Sequence, residues 1–97
     1  MENTKARVIT FNKPFIFEEK EYTELNLDLE VLTGKDLLEA SREVRTIGET
    51  SPVVELSKSY YAVVGAKAAK VPIDLVLALP AKEFSQLTVE VQSFLFE

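Results

Sequence analysis

The residues that could do chemistry in this 97-residue chain are carboxylates, lysines, tyrosines and hydroxyls, because cysteine and histidine are both absent. Without them the chain lacks the thiolate and imidazole groups that serve most often as nucleophiles, general bases and transition-metal ligands. A disulfide framework and a thiolate zinc site are excluded for the same reason. We therefore predict that the protein is not an enzyme and that it uses no cofactor.

Two acidic groups are close enough in sequence to hold a hard cation, namely Glu18 with Glu19 and Glu21, and Asp28 with Glu30. Neither group has the spacing of an EF-hand or a glycine-bearing acidic loop, so a solvated surface is the favoured interpretation. Lys67 and Lys70 similarly lack the glycine-rich nest that binds phosphate. The sequence thus predicts no metal site and no phosphate site.

The charge balance and hydropathy restrict the partners. Sixteen acidic and eleven basic residues give a net charge of -5, which disfavours nucleic acids and anionic membrane surfaces. The first residues lack the apolar region of a secretory signal, and no run approaches the ~20 apolar residues of a membrane span. We expect a cytoplasmic protein that binds neither nucleic acid nor membrane.

The N-terminal third has the two-residue periodicity of strands. Residues 7–11 and 15–17 are rich in β-branched and aromatic side chains and flank Pro14, while residues 22–31 alternate leucines with polar side chains. This pattern predicts a small antiparallel sheet of two to three strands within residues 7–31. Its inner face should carry Phe15, Phe17, Leu25, Leu27 and Leu29.

The remainder of the chain has helical periodicity. Thr33 and Asp36 fit a capping box, Gly48 fits a helix stop, and Ser51 before Pro52 fits the start of a second helix. We predict three to four helices, at residues 35–47, 52–70, 73–79 and 80–96. The fold class is therefore α+β, in a single domain of residues 1–97 whose first six residues are disordered.

Each long helix has an apolar stripe that should face the core. The predicted stripes are Leu37, Ala40, Val44 and Ile47, then Val53, Leu56, Tyr60, Val63 and Val64, and finally Phe84, Leu87, Val91, Phe94 and Leu95. The segment 65–69 of the second helix has small side chains. Either another backbone approaches it closely, or it fills an ordinary gap between helices.

Five apolar residues lie outside these stripes on the helical wheels, and they are the candidate partner-binding residues: Leu38, Val54, Tyr61, Val89 and Phe96. Single exposed apolar side chains and a second core layer are the alternative interpretations. Taken together, the five predict a contact with another protein, either a homo-oligomer interface or a groove for a different chain.

The order of these features resembles a known family. The first strand is followed by Pro14, the segment TELNLDLEVLTGKDLLEASRE leads into the first helix, a proline starts the second, and AKAAKVP, LPAKEF and VQSFL follow in turn. In this order the sequence resembles the small tail assembly chaperones of contractile-tailed bacteriophages and related prophages. The resemblance covers most of the chain and includes no catalytic motif.

The resemblance implies a chaperone that binds the long helical tape measure protein and keeps it soluble during tail tube assembly. It further implies action in the host cytoplasm and absence from the mature virion. Family members are often made in two lengths, and the longer form contacts the tape measure protein or the tail tube protein. A self-associating structural tail subunit and a generic protein-interaction module are the rival interpretations.

Overall fold

The computed structural model describes residues 7–97, and this part of the chain begins with a β-hairpin. Strand β1 (Arg7–Phe17) pairs antiparallel with strand β2 (Lys20–Leu27). The tight turn between them places both Glu18 and Glu19 at positive φ. The predicted disorder of residues 1–6 lies outside the described residues.

The predicted break at Pro14 does not end the first strand. β1 continues through this residue, and the pairing with β2 is irregular between Thr10 and Phe15. Proline lacks the N–H that a regular ladder needs, and a bulge accommodates it. The sheet therefore has two strands, within the predicted range of two to three.

The predicted extension of the last strand to residue 31 is wrong. β2 ends at Leu27, and a 3-10 turn spans Leu29–Val31. The Asp28 N–H donates to the Ala68 carbonyl at 3.2 Å, which turns the chain away from the ladder. Leu29 is buried as predicted, whereas Val31 is exposed.

The first helix, α1 (Gly34–Thr46), begins with the predicted capping box. The Thr33 N–H donates to the Asp36 carboxylate at 2.8 Å, and the Asp36 N–H donates to the Thr33 hydroxyl at 3.4 Å. Two N–H groups that the helix itself leaves without partners are thereby paired. Ala40 and Val44 are buried in the core as predicted. Ile47 is exposed, so its predicted place in the core stripe is wrong.

The second helix, α2 (Lys58–Ala69), begins six residues later than predicted. Ser57 is the cap, because its hydroxyl accepts a hydrogen bond from the Tyr60 N–H at 3.1 Å. The Arg45 guanidinium donates to the carbonyls of Glu49 and Ser51 at 3.2 and 3.0 Å and thereby holds the preceding connection in a non-helical path. Val53 and Leu56 lie in that connection and are exposed, so their predicted place in the core is wrong.

Helix α2 is the centre of the fold. It packs against α1, against β2, and against two further helices, α3 (Ile73–Leu77) and α4 (Ala81–Leu95). All seven residues from Tyr60 to Ala66 are buried, as expected of a helix surrounded by other elements. Together with the hairpin, the four helices confirm the α+β class. Within residues 7–97 no helix is long and apolar enough to cross a membrane.

Candidate protein-binding groove

A groove of about 500 Å³ lies between β1 and α4. Its walls are formed by Val8, Ile9, Thr10, Ser85, Gln86, Val89 and Glu90. Successive side chains of a strand point to opposite faces of the sheet. A groove in contact with three consecutive strand residues therefore runs along the backbone edge of β1.

Two polar contacts hold α4 beside β1. Near one end of the groove, the Arg7 guanidinium pairs with the Glu90 carboxylate at 3.2 Å and also bonds the carboxylate of Glu97. Further along β1, the Asn12 N–H makes a long hydrogen bond of 3.5 Å to the buried carboxylate of Glu83. The two contacts set the separation of the walls and make α4 run antiparallel to β1.

The edge of β1 that borders this groove is not paired with a strand. β1 pairs with β2 on its other side, and the sheet of residues 7–97 contains these two strands alone. Within the same residues, Val8, Ile9 and Thr10 make no backbone hydrogen bond beyond the strand pairing. The groove thus presents free N–H and C=O groups at its base.

Each wall of the groove includes an exposed apolar residue. Val8 of β1 is 45% exposed and Val89 of α4 is 52% exposed. Phe96 is 58% exposed and follows Val89 by two helical turns on the same side of α4. Val89 and Phe96 therefore lie outside the core as the helical wheel predicts, although their role in binding a partner stays a prediction.

Leu38 is 62% exposed but does not line the groove. Its helix, α1, packs against α2, whereas α4 packs against α2 and β1. Leu38 therefore lies on a different helix from Val89 and outside the groove.

The predicted position of Val54 and Tyr61 outside the core is wrong. Both are buried, at 6% and 3% exposure, and belong to the core of this fold. The 3-10 turn of the connection directs Val54 inward, and the flank of α2 that carries Tyr61 is covered by other elements. Burial raises the pKa of the Tyr61 hydroxyl, and this hydroxyl has no hydrogen-bond partner among the described residues.

The sequence analysis did not predict two features: the β1 wall of the groove and the concentration of negative charge in the hairpin. Residues 18–30, here called the acidic hairpin segment, contain six carboxylates and one lysine, a balance of -5 that equals the net charge of the chain. All six carboxylate residues are exposed. One of them, Glu24, pairs with Thr10 across the strands and so lies one strand away from the groove. A count of charge by segment would have revealed this concentration of negative charge.

The groups with lowered pKa serve local structure elsewhere in the chain. The backbone N–H of Thr33 lowers the pKa of Asp36, and the Ser51 hydroxyl lowers the pKa of Glu49. Within residues 7–97 no group of three acidic side chains could hold a metal ion.

No protein-family model, curated protein or solved structure matches the chain. The class of the protein is therefore defined by its α+β fold, with a two-stranded hairpin packed on four helices. The groove between the free strand edge and the last helix is its candidate functional site.

Proposed function

We propose that this protein is a non-catalytic binding module that holds a segment of another protein in the groove between β1 and α4. The observation that carries the proposal is the pair of exposed apolar side chains, Val8 and Val89, on the two walls of a groove with a polar rim. An apolar centre with hydrogen-bonding groups around it is the usual composition of a protein-binding surface.

We further propose that the module acts as a phage tail assembly chaperone and that its partner is the tape measure protein. The ordered sequence features described above support this identification. In this role it acts in the host cytoplasm, releases its partner when the tail tube forms and stays outside the virion.

The second candidate is a self-associating structural subunit of the tail. The unpaired edge of β1 favours it, because such an edge can pair with a second copy. Detection of the protein in purified virions would support this candidate and contradict the chaperone.

The test is coexpression with the tape measure protein of the same phage or prophage, followed by measurement of its soluble fraction and its co-purification. We expect the wild-type chain to raise the soluble fraction and to co-purify. Val89→Glu should abolish both effects because it places a charge on the groove wall. Leu38→Glu is the matched control, a somewhat more exposed apolar residue outside the groove, and should behave as wild type. An insoluble tape measure protein with the wild-type chain would overturn the proposal.

A further inference from the structure

We infer that the segment bound in this groove is extended, adds to the free edge of β1 as a third strand, and carries lysine or arginine toward the acidic hairpin segment. The inference deepens the proposed function and rests on it for the location of the binding site. It specifies the conformation and the chemistry of the bound segment.

The free backbone groups of β1 favour an extended occupant over a helical one. N–H and C=O groups of alternate strand residues point to the same edge, so either Ile9 or both Val8 and Thr10 offer them to the groove. A helix satisfies its own backbone groups internally and would cover those of β1 without pairing them, which leaves buried polar groups without partners. A strand pairs with them directly.

The two faces of an added strand would meet different surroundings. Side chains that point toward the helices would contact Val89 and Gln86 on the α4 wall. Side chains that point the other way would lie on the open face of the sheet, next to Val8 and Thr10, with Glu24 one strand further away. The bound segment should therefore alternate apolar residues with residues that suit Glu24.

Charge complementarity indicates that the residues of the bound segment facing Glu24 are basic. The acidic hairpin segment carries the whole net charge of the chain, and the other residues balance to zero. Within residues 7–97 none of its six carboxylates has an ion-pair partner. Two strand spacings separate the added strand from β2, roughly 10 Å, which long basic side chains can span. A second copy of this chain would bring the same negative field with it and is disfavoured.

Three synthetic peptides test the inference on the full chain. The first alternates valine with lysine, the second replaces each lysine by glutamate, and the third has the composition of the first in a helical i, i+3, i+4 period. We expect the first peptide alone to bind and to slow amide hydrogen exchange at Val8, Ile9 or Thr10. Its affinity should fall several-fold as salt is raised, because the charges are exposed.

Two charge-reversal variants of the protein test whether the acidic hairpin segment attracts the bound peptide. Glu24→Lys should weaken binding of the valine–lysine peptide several-fold. Glu55→Lys changes the net charge equally, at an exposed position outside the acidic hairpin segment, and should have a small effect. Equal losses in both variants would overturn the role of this segment.

The remaining outcomes separate the inference from the proposed function. Preferred binding of the helical-period peptide, or of the glutamate peptide, would overturn the inference. A soluble tape measure protein in coexpression together with no binding of the valine–lysine peptide would overturn the inference and leave the proposed function intact. Protection of β1 amides without peptide, in a dimer, would place a second copy in the groove and overturn it as well.

Discussion

The side chain of Leu87 in α4 occupies the space beside Gly65 in α2 that a Cβ atom would need. A Cβ built on Gly65 would lie 2.5 Å from Leu87 Cδ2 and 3.1 Å from Leu87 Cγ. This contact lets the two helices approach closely and so fixes the helix that forms one wall of the groove. The absence of a side chain at Gly65 thus makes room for Leu87 between the two helices.

Gly65→Ala should lower the free energy of unfolding. Alanine gains up to about 1 kcal/mol in helix propensity, but overpacking a core costs about 1–3 kcal/mol, and the Leu87 side chain that must shift is fully buried. We expect a net loss of about 1–2 kcal/mol in urea unfolding. Gly34→Ala is the control, because a Cβ there meets nothing within 4 Å and should leave stability equal or higher. Equal effects of the two changes would show that the Gly65–Leu87 contact is loose.

Thr33→Ala should destabilise the protein by about 1 kcal/mol, the usual cost of removing a helix N-cap side chain. The hydroxyl of Thr33 accepts the Asp36 N–H, which has no partner within the helix. Urea unfolding measures the loss. Thr33→Ser keeps the acceptor and should retain most of the stability, whereas an equal loss in both variants would assign the effect to the methyl group.

The charge of Asp36 should make stability depend on pH. The hydrogen bond from the Thr33 N–H lowers the pKa of this carboxyl below its ordinary value in the folded protein. A lowered folded-state pKa stabilises the fold above the unfolded value of about 4, and the contribution is lost as pH falls through the folded value. Wild type should exceed Asp36→Asn in stability above pH of about 4, by a margin that shrinks at lower pH. A margin constant with pH, in denaturant unfolding across a pH series, would contradict this.

These local features explain why α1 was predicted well and α2 was not. The capping box of Thr33 and Asp36 is a signal within four residues. Ser51 and Ser57 carry similar local signals for the start of α2, and the choice between them depends on the contacts that Arg45 makes with the connection. Contacts of that kind arise from the folded chain and leave no mark in helical periodicity.

The candidate site was predicted in part for a related reason. Helical wheels assign one buried face to each helix, which is correct for α4 and so placed Val89 and Phe96 outside the core. The assumption is wrong for α2, which is surrounded, and there Tyr61 was misassigned. Val8 joins Val89 in one groove across some eighty positions of sequence, a proximity that only the tertiary fold creates.

Tyr61→Phe should stabilise the protein by about 1 kcal/mol. The buried hydroxyl has no hydrogen-bond partner among the described residues, and removing an unsatisfied polar group recovers its desolvation penalty. Tyr61→Ser should instead cost about 3–5 kcal/mol, because it removes a buried ring from the core. Thermal unfolding compares the two variants. A less stable Tyr61→Phe would reveal a partner for the hydroxyl, such as a buried water.

Arg7→Gln should loosen the end of α4 while lowering global stability by less than about 1 kcal/mol, since its ion pairs are partly exposed. The guanidinium bonds the carboxylate and the carbonyl of Glu90 and lies 5.5 Å from the centre of the Phe94 ring, so one side chain holds the last turns of the helix against β1. We expect faster amide exchange at residues 90–96 and weaker binding in the groove.

Lys67→Gln is the control, because it removes surface pairs with Glu39 and Glu43 on the opposite side of α2 and should leave that exchange unchanged. Unchanged exchange in Arg7→Gln would mean that apolar packing alone positions this wall of the groove.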